Sequence, residues 1–113
     1  MVNYNGDLVA FEDAKITPNN RALKYGDSVF ETLKLVNGKL IFWEAHYFRL
    51  MASMRMLRMK IPMSFTLEFL ENEILKTAKV TNSNNNLRIR LTITRKDGGF
   101  YLPLTNEIDY LIE

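Results

Sequence analysis

RALKYGDSVFETLK occupies residues 21–34, and HYFRL follows at 46–50. The turn Tyr25-Gly26-Asp27-Ser28 feeds directly into a strand-like run over residues 29–36. Gly26 relieves backbone crowding in that turn, and Asp27 can hydrogen-bond the local backbone. The run alternates in part, with Val29, Glu31, Leu33 and Leu35 set against Phe30, Thr32, Lys34 and Val36. Neither set is wholly polar, so burial on both sides of at least part of the strand is expected. Asn37 and Gly38 accept the positive φ of a tight hairpin, and residues 40–42 read as its return strand. Residues 43–58 then read as a helix, with apolar side chains at Trp43, Tyr47, Leu50, Met51, Met54 and Leu57. Its first turns carry a single arginine, Arg49.

Outward from this centre the pattern continues. Residues 1–4 and 8–11 are short strand candidates joined by Asn5-Gly6-Asp7, a strong hairpin signal. Residues 13–20 are polar, contain Pro18 and read as a loop. Pro62 ends the first helix, and residues 64–80 form a second one. After Thr66, Glu68 and Glu71 give its first turns the acidic character that suits the helix dipole. Leu67, Leu70, Ile74 and Ala78 make its apolar stripe. Residues 81–86 are a polar loop. Residues 87–94 are the cleanest strand, with Leu87, Ile89, Leu91 and Ile93 on one face and Arg88, Arg90, Thr92 and Thr94 on the other. A loop at 95–99 and a last strand at 107–113 complete the chain. Strands, two helices, then strands again, joined by short connections, predict an α+β fold: a mostly antiparallel sheet with two helices packed on one face.

At 113 residues the chain is one domain able to bury a modest core. Fifteen basic and 13 acidic residues leave a net charge of +2, too balanced to argue for a nucleic-acid partner. There is no cysteine, which excludes disulfides, thiolate catalysis and cysteine metal sites. No segment approaches the roughly 18 to 20 apolar residues that span a membrane. The first seven residues lack the basic and apolar regions of a signal peptide, so a cytoplasmic location is expected.

The 21–34 block and the His46-x-x-Arg49-Leu50 motif together resemble the amino-terminal domain of the class IV aminotransferases. These are fold-type IV enzymes that use pyridoxal phosphate (PLP), and they include branched-chain and D-amino-acid aminotransferases and aminodeoxychorismate lyase. The resemblance covers almost the whole chain, and the fold it implies agrees with the one read from the residues.

Residue by residue, the resemblance makes Arg49 the arginine that binds the PLP phosphate. The chemistry is apt, because a guanidinium is a rigid fork that holds phosphate oxygens in two bonds; the alternative is a solvated helix arginine. His46, the only histidine, corresponds to a packing and hydrogen-bonding residue. With no second histidine or cysteine to join it, it reads as no metal ligand. The resemblance makes Tyr25 part of the approach to the substrate side of the cofactor and Phe30 an aromatic wall of the pocket; the role of Glu31 is open. Arg88 and Arg90 share one strand face and repel each other unless an anion lies nearby. A substrate carboxylate would serve, and so would an Asp or Glu on a neighbouring strand; Arg90 best matches an arginine that faces the substrate in the branched-chain branch. The 95–103 stretch matches the family's glycine-containing active-site loop. It has Gly99, Phe100 and Tyr101 where the D-amino-acid branch has an Arg-x-His carboxylate trap.

PLP chemistry needs a Schiff-base lysine and an acidic partner for the pyridine nitrogen. None of the eight lysines lies in a context resembling that lysine. In relatives both groups come from a carboxy-terminal domain, expected beyond Glu113. Residues 1–113 therefore read as the amino-terminal domain of such a protein, inactive alone. The complete protein would transfer an amino group between an amino acid and a 2-oxo acid, as a homodimer. The rivals are aminodeoxychorismate lyase, which eliminates pyruvate, and a non-catalytic oligomerisation or binding module. Met51, Met54, Met56, Met59 and Met63 could supply adaptable contact surface, with Met51 and Met54 better placed in the core.

Overall fold

A computed structural model describes residues 1–81 and 86–113; residues 82–85 of the expected polar loop lie outside the described residues. Among the described residues six strands, β1 (Val2–Tyr4), β2 (Asp7–Val9), β3 (Ser28–Val36), β4 (Lys39–Leu40), β5 (Leu87–Arg95) and β6 (Ile108–Ile112), form one sheet in the order β2-β1-β6-β5-β3-β4. Every pairing in it is antiparallel. Helices α2 (Trp43–Met56) and α3 (Leu67–Thr81) pack on one face, and a short helix α1 (Arg21–Tyr25) leads into β3. This is the α+β architecture expected from the pattern.

The core lies between the helices and the inner face of β3, β5 and β6. Leu33 and Leu35 of β3, Ile89, Leu91 and Ile93 of β5, and Ile108, Tyr110 and Ile112 of β6 meet Leu50, Met51 and Met54 of α2 and Leu70, Ile74 and Ala78 of α3. Each fully buried aliphatic side chain contributes about 1.5–3 kcal/mol relative to exposure. Met51 and Met54 are buried as expected, and so is Met59, whereas Met56 and Met63 face solvent. The Trp43 indole N–H donates to the Leu67 carbonyl (3.1 Å) and the Tyr47 hydroxyl to that of Phe65 (2.7 Å). These bonds tie α2 to the start of α3 and satisfy two polar groups that the core would otherwise strand. Across the sheet, Glu73 of α3 accepts from Asn3 of β1 (3.2 Å) and Tyr110 of β6 (3.0 Å).

Several local expectations are corrected. Residues 21–25, where the pattern predicts no element, form a helical turn. Asn20 Oδ1 caps it by accepting from the amides of Ala22 (2.9 Å) and Leu23 (3.3 Å), and Gly26 closes it at φ +63°. The return strand stops at Leu40, because Phe42 turns to φ 55°, a left-handed conformation that leaves the ladder. α2 ends at Met56, where the notched exit through Leu57 and left-handed Arg58 begins. α3 starts at Leu67, with Thr66 Oγ1 accepting from the Phe69 amide (3.0 Å). Residues 11–13 form a 3-10 turn in place of the end of the second strand. Finally, β3 is covered on its helix face only: Phe30, Thr32 and Lys34 are exposed. Its apolar Phe30 therefore faces outward.

Candidate functional site

Strand alternation sends Glu31 to the same side as Leu33 and Leu35, under α2. Its carboxylate is buried, 5% exposed. On α2, His46 and Arg49 stand three residues apart, so both reach the same spot. His46 Nδ1 lies 2.6 Å from Glu31 Oε1. Arg49 Nε donates to Oε2 (2.9 Å) and to Oε1 (3.2 Å), and Nη2 donates to Oε1 (2.7 Å). Burial opposes ionisation of Glu31, but the donors on Arg49 and His46 outweigh it and hold the carboxyl below its ordinary range. An ionised Glu31 only accepts, so the proton it meets on His46 is on Nδ1. The Arg49 side chain is 67% exposed. Among the described residues none accepts from its Nη1. The guanidinium is thus gripped along one edge and open along the other, an arrangement that can receive an anion.

The opposite face of the sheet carries the other candidates. Thr32 of β3 is in register with Arg90 of β5, and the Arg90 guanidinium lies 4.3 Å from the centre of the Phe30 ring. Both line an open cavity of about 290 Å³ with Tyr4, Ile16, Asn20 and Thr92. Arg88, two residues along the strand, stands in register with Lys34. It lines a second cavity of about 630 Å³, with Leu35, Ile41, Phe42 and His46. Among the described residues no Asp or Glu forms an ion pair with either arginine. The structure thus brings Phe30 and Arg90 together and sets Arg88 apart from them. Tyr25 joins neither cavity; its ring stacks under Arg21, 4.5 Å from the guanidinium.

A buried ionic hub, whose partners local pattern does not reveal, lies at the start of β3. Asp27 Oδ2 accepts from Arg21 Nε (2.9 Å) and from Arg95 Nε (2.8 Å). The rest of the Arg21 fork donates to the backbone carbonyls of Gly98 (3.1 Å), Phe100 (2.6 Å) and Tyr101 (3.2 Å). Arg95 donates to Asn106 Oδ1 (2.8 Å) and to the Leu57 carbonyl. Asp27 is more than a turn residue: it holds two nearly buried arginines and, through them, the 98–101 loop. That loop presents Phe100 and Tyr101 to solvent, and Leu102 just beyond it is exposed as well. One signal was available. Arg95 continues the odd-numbered series of β5 that includes Ile89, Leu91 and Ile93, so alternation alone sends it inward, where an arginine needs a partner.

The family model for amino-transferase class IV matches residues 28–112. The chain is 37% identical over 100 residues to a putative branched-chain-amino-acid aminotransferase of Methanocaldococcus jannaschii, covering 86% of this chain and 33% of the relative. It is 34% identical over 94 residues to a D-alanine aminotransferase of Listeria monocytogenes, covering 83% of this chain and 32% of the relative. Among solved structures, it is similar to an Escherichia coli branched-chain amino acid aminotransferase, with TM-score 0.86 and 26% identity over 98% of this chain and 38% of that one. The chain spans about a third of the length of the curated relatives it matches.

Proposed function

The chain belongs to the class IV aminotransferase family, and from that premise we propose that it is the amino-terminal part of a PLP-dependent enzyme that moves an amino group between an amino acid and a 2-oxo acid. The observation that carries the proposal is the Arg49 guanidinium, fastened to buried Glu31 on one edge and open on the other. That donor set fits the phosphate of PLP. The coenzyme, when bound, supplies the electron sink that makes a substrate α-proton labile.

The chain's own residues take the remaining parts. Arg49 would hold the phosphate, with Glu31 and His46 behind it. Phe30 and Arg90 would form one wall of the substrate pocket, apolar ring and cation together. Arg90 would receive a carboxylate, and the absence of an acidic ion-pair partner among the described residues supports that role. Arg88, facing Lys34 in the neighbouring cavity, would take a lesser part, and Tyr25 would help to support the loop through Arg21. The Schiff-base lysine would come from a carboxy-terminal domain. Homodimer formation and a cytoplasmic location belong to the same proposal; no helix among the described residues is long and apolar enough to cross a membrane.

The test is the visible absorption spectrum of the protein expressed from its complete reading frame, before and after borohydride. A yellow band that reduction removes supports a lysine-bound coenzyme. No band after incubation with excess PLP leaves a non-catalytic module. Assays with 2-oxoglutarate and with aminodeoxychorismate then separate amino transfer from elimination.

A further inference from the structure

We propose that Glu31 is the positioning residue of the anion site: it aims the Arg49 guanidinium, and without it the charge remains but the phosphate hold is lost. This rests on the reading of Arg49 as the phosphate contact.

A long arginine side chain on a helix surface samples many rotamers, and ordering it opposes binding. Here the ordering is already done. Both oxygens of Glu31 accept from Nε and Nη2 within 3.2 Å. Glu31 cannot drift, since its strand position is set by pairing with Leu91 and its carboxylate is also held by His46 at 2.6 Å. The fork is therefore fixed by two of its nitrogens, while among the described residues none accepts from Nη1. The same strand turns Phe30, the preceding residue, to the opposite face beside Arg90. A single rigid stretch of β3 thus sets the anion clamp on one side of the sheet and the aromatic wall on the other. Sites held on strands by a supporting shell keep their geometry better than sites on loops.

Charge alone predicts the reverse effect of removing Glu31. A carboxylate against Arg49 offsets its positive charge and weakens attraction for an incoming anion. Glu31→Gln removes that opposition and keeps one acceptor. If Glu31 only damps the charge, the variant binds phosphate more tightly; if it aims the fork, the variant binds phosphate less tightly.

The experiment measures the affinities of PLP and of pyridoxal, which lacks the phosphate, for the protein from the complete reading frame and for its Glu31→Gln and Arg49→Ala variants. The PLP-to-pyridoxal affinity ratio isolates the phosphate contribution from any general loosening of the fold. The expected result is a ratio reduced about tenfold in Glu31→Gln, the worth of a charge-assisted hydrogen bond, and reduced at least as far in Arg49→Ala. A ratio that collapses in Arg49→Ala but stays or rises in Glu31→Gln overturns the positioning role and leaves the Arg49 reading standing. A ratio unchanged in Arg49→Ala overturns the Arg49 reading, and this inference with it. Should Glu31→Gln fail to fold, Glu31→Asp, which keeps the charge and withdraws the carboxylate by one methylene, carries the same comparison.

Discussion

Arg21 and Asp27 stand on either side of left-handed Gly26, and the Arg21 Nε donates to Asp27 Oδ2 at 2.9 Å. The same oxygen accepts from Arg95 at 2.8 Å. One carboxylate therefore joins the turn before β3, the end of β5 and, through Arg21, the 98–101 loop. All three side chains are nearly out of water, at 3%, 12% and 6% exposure for Arg21, Asp27 and Arg95.

Asp27→Ala leaves two buried guanidinium groups without their shared counter-charge. Breaking a buried pair in this way costs about 3–5 kcal/mol. Urea denaturation of the variant against the parent chain should show a loss of that size. A loss below about 1 kcal/mol would mean that water or neighbouring carbonyls replace the carboxylate.

Acid should weaken the fold. Burial opposes ionisation of Asp27, Glu31 and Glu73, but their hydrogen-bond donors prevail and lower all three from ordinary values of 3.8, 4.5 and 4.5. A lowered folded pKa contributes stability that is present above the unfolded value and lost as pH falls through the folded one. Unfolding free energy should hold between pH 7 and about 5, then fall steadily below about 4.5. Asp27→Asn should show a shallower decline, since one of the three titrations is gone. An unchanged slope would count against the Asp27 contribution.

The centre of the sheet should be intolerant of truncation. Leu91 is fully buried between β3 and β6. Leu91→Ala removes its packing and leaves a cavity, at a cost of about 2–5 kcal/mol. Leu102→Ala, at an exposed loop position, should stay within about 0.5 kcal/mol. Thermal denaturation followed by circular dichroism separates the two.

Two glycines should respond differently to the same substitution. Gly26 has φ +63° and open space around it, so Gly26→Ala meets only the backbone penalty of about 1 kcal/mol. At Gly99, φ +75°, an added Cβ would stand 2.3 Å from the Leu102 carbonyl oxygen. Gly99→Ala should therefore shift the 98–104 backbone, visible as amide chemical-shift changes there and at Arg21. Equal effects at the two positions would be the contrary result.

Much of the fold could be read from local pattern. The strict alternation of residues 87–94, the Asn-Gly turns and the apolar spacing of the two helices each report one element through a period of 2 or 3.6. They place the inward faces of β5, α2 and α3, except that Leu57, expected on the apolar side of α2, lies past the helix end and is exposed. The pairing of His46 with Arg49 was also legible, because three residues on a helix bring two side chains to one side.

What local pattern could not supply was which charged groups meet. Glu31 comes to Arg49 across 18 positions, Arg21 reaches carbonyls 77 to 80 positions away, and Asp27 meets Arg95 across 68. Such partners are chosen by strand order and helix placement, which bury a charge and so demand its complement. The sequence by itself determined most of the strands, the two long helices and the family resemblance, because these follow from near neighbours and matched motifs, while the 21–25 helix and the one-sided burial of β3 did not show in it. Only the tertiary structure decided that β3 carries a buried carboxylate under α2 and an exposed aromatic ring above, and that Asp27 is a hub. Those outcomes depend on desolvation and on contacts between segments far apart in the chain.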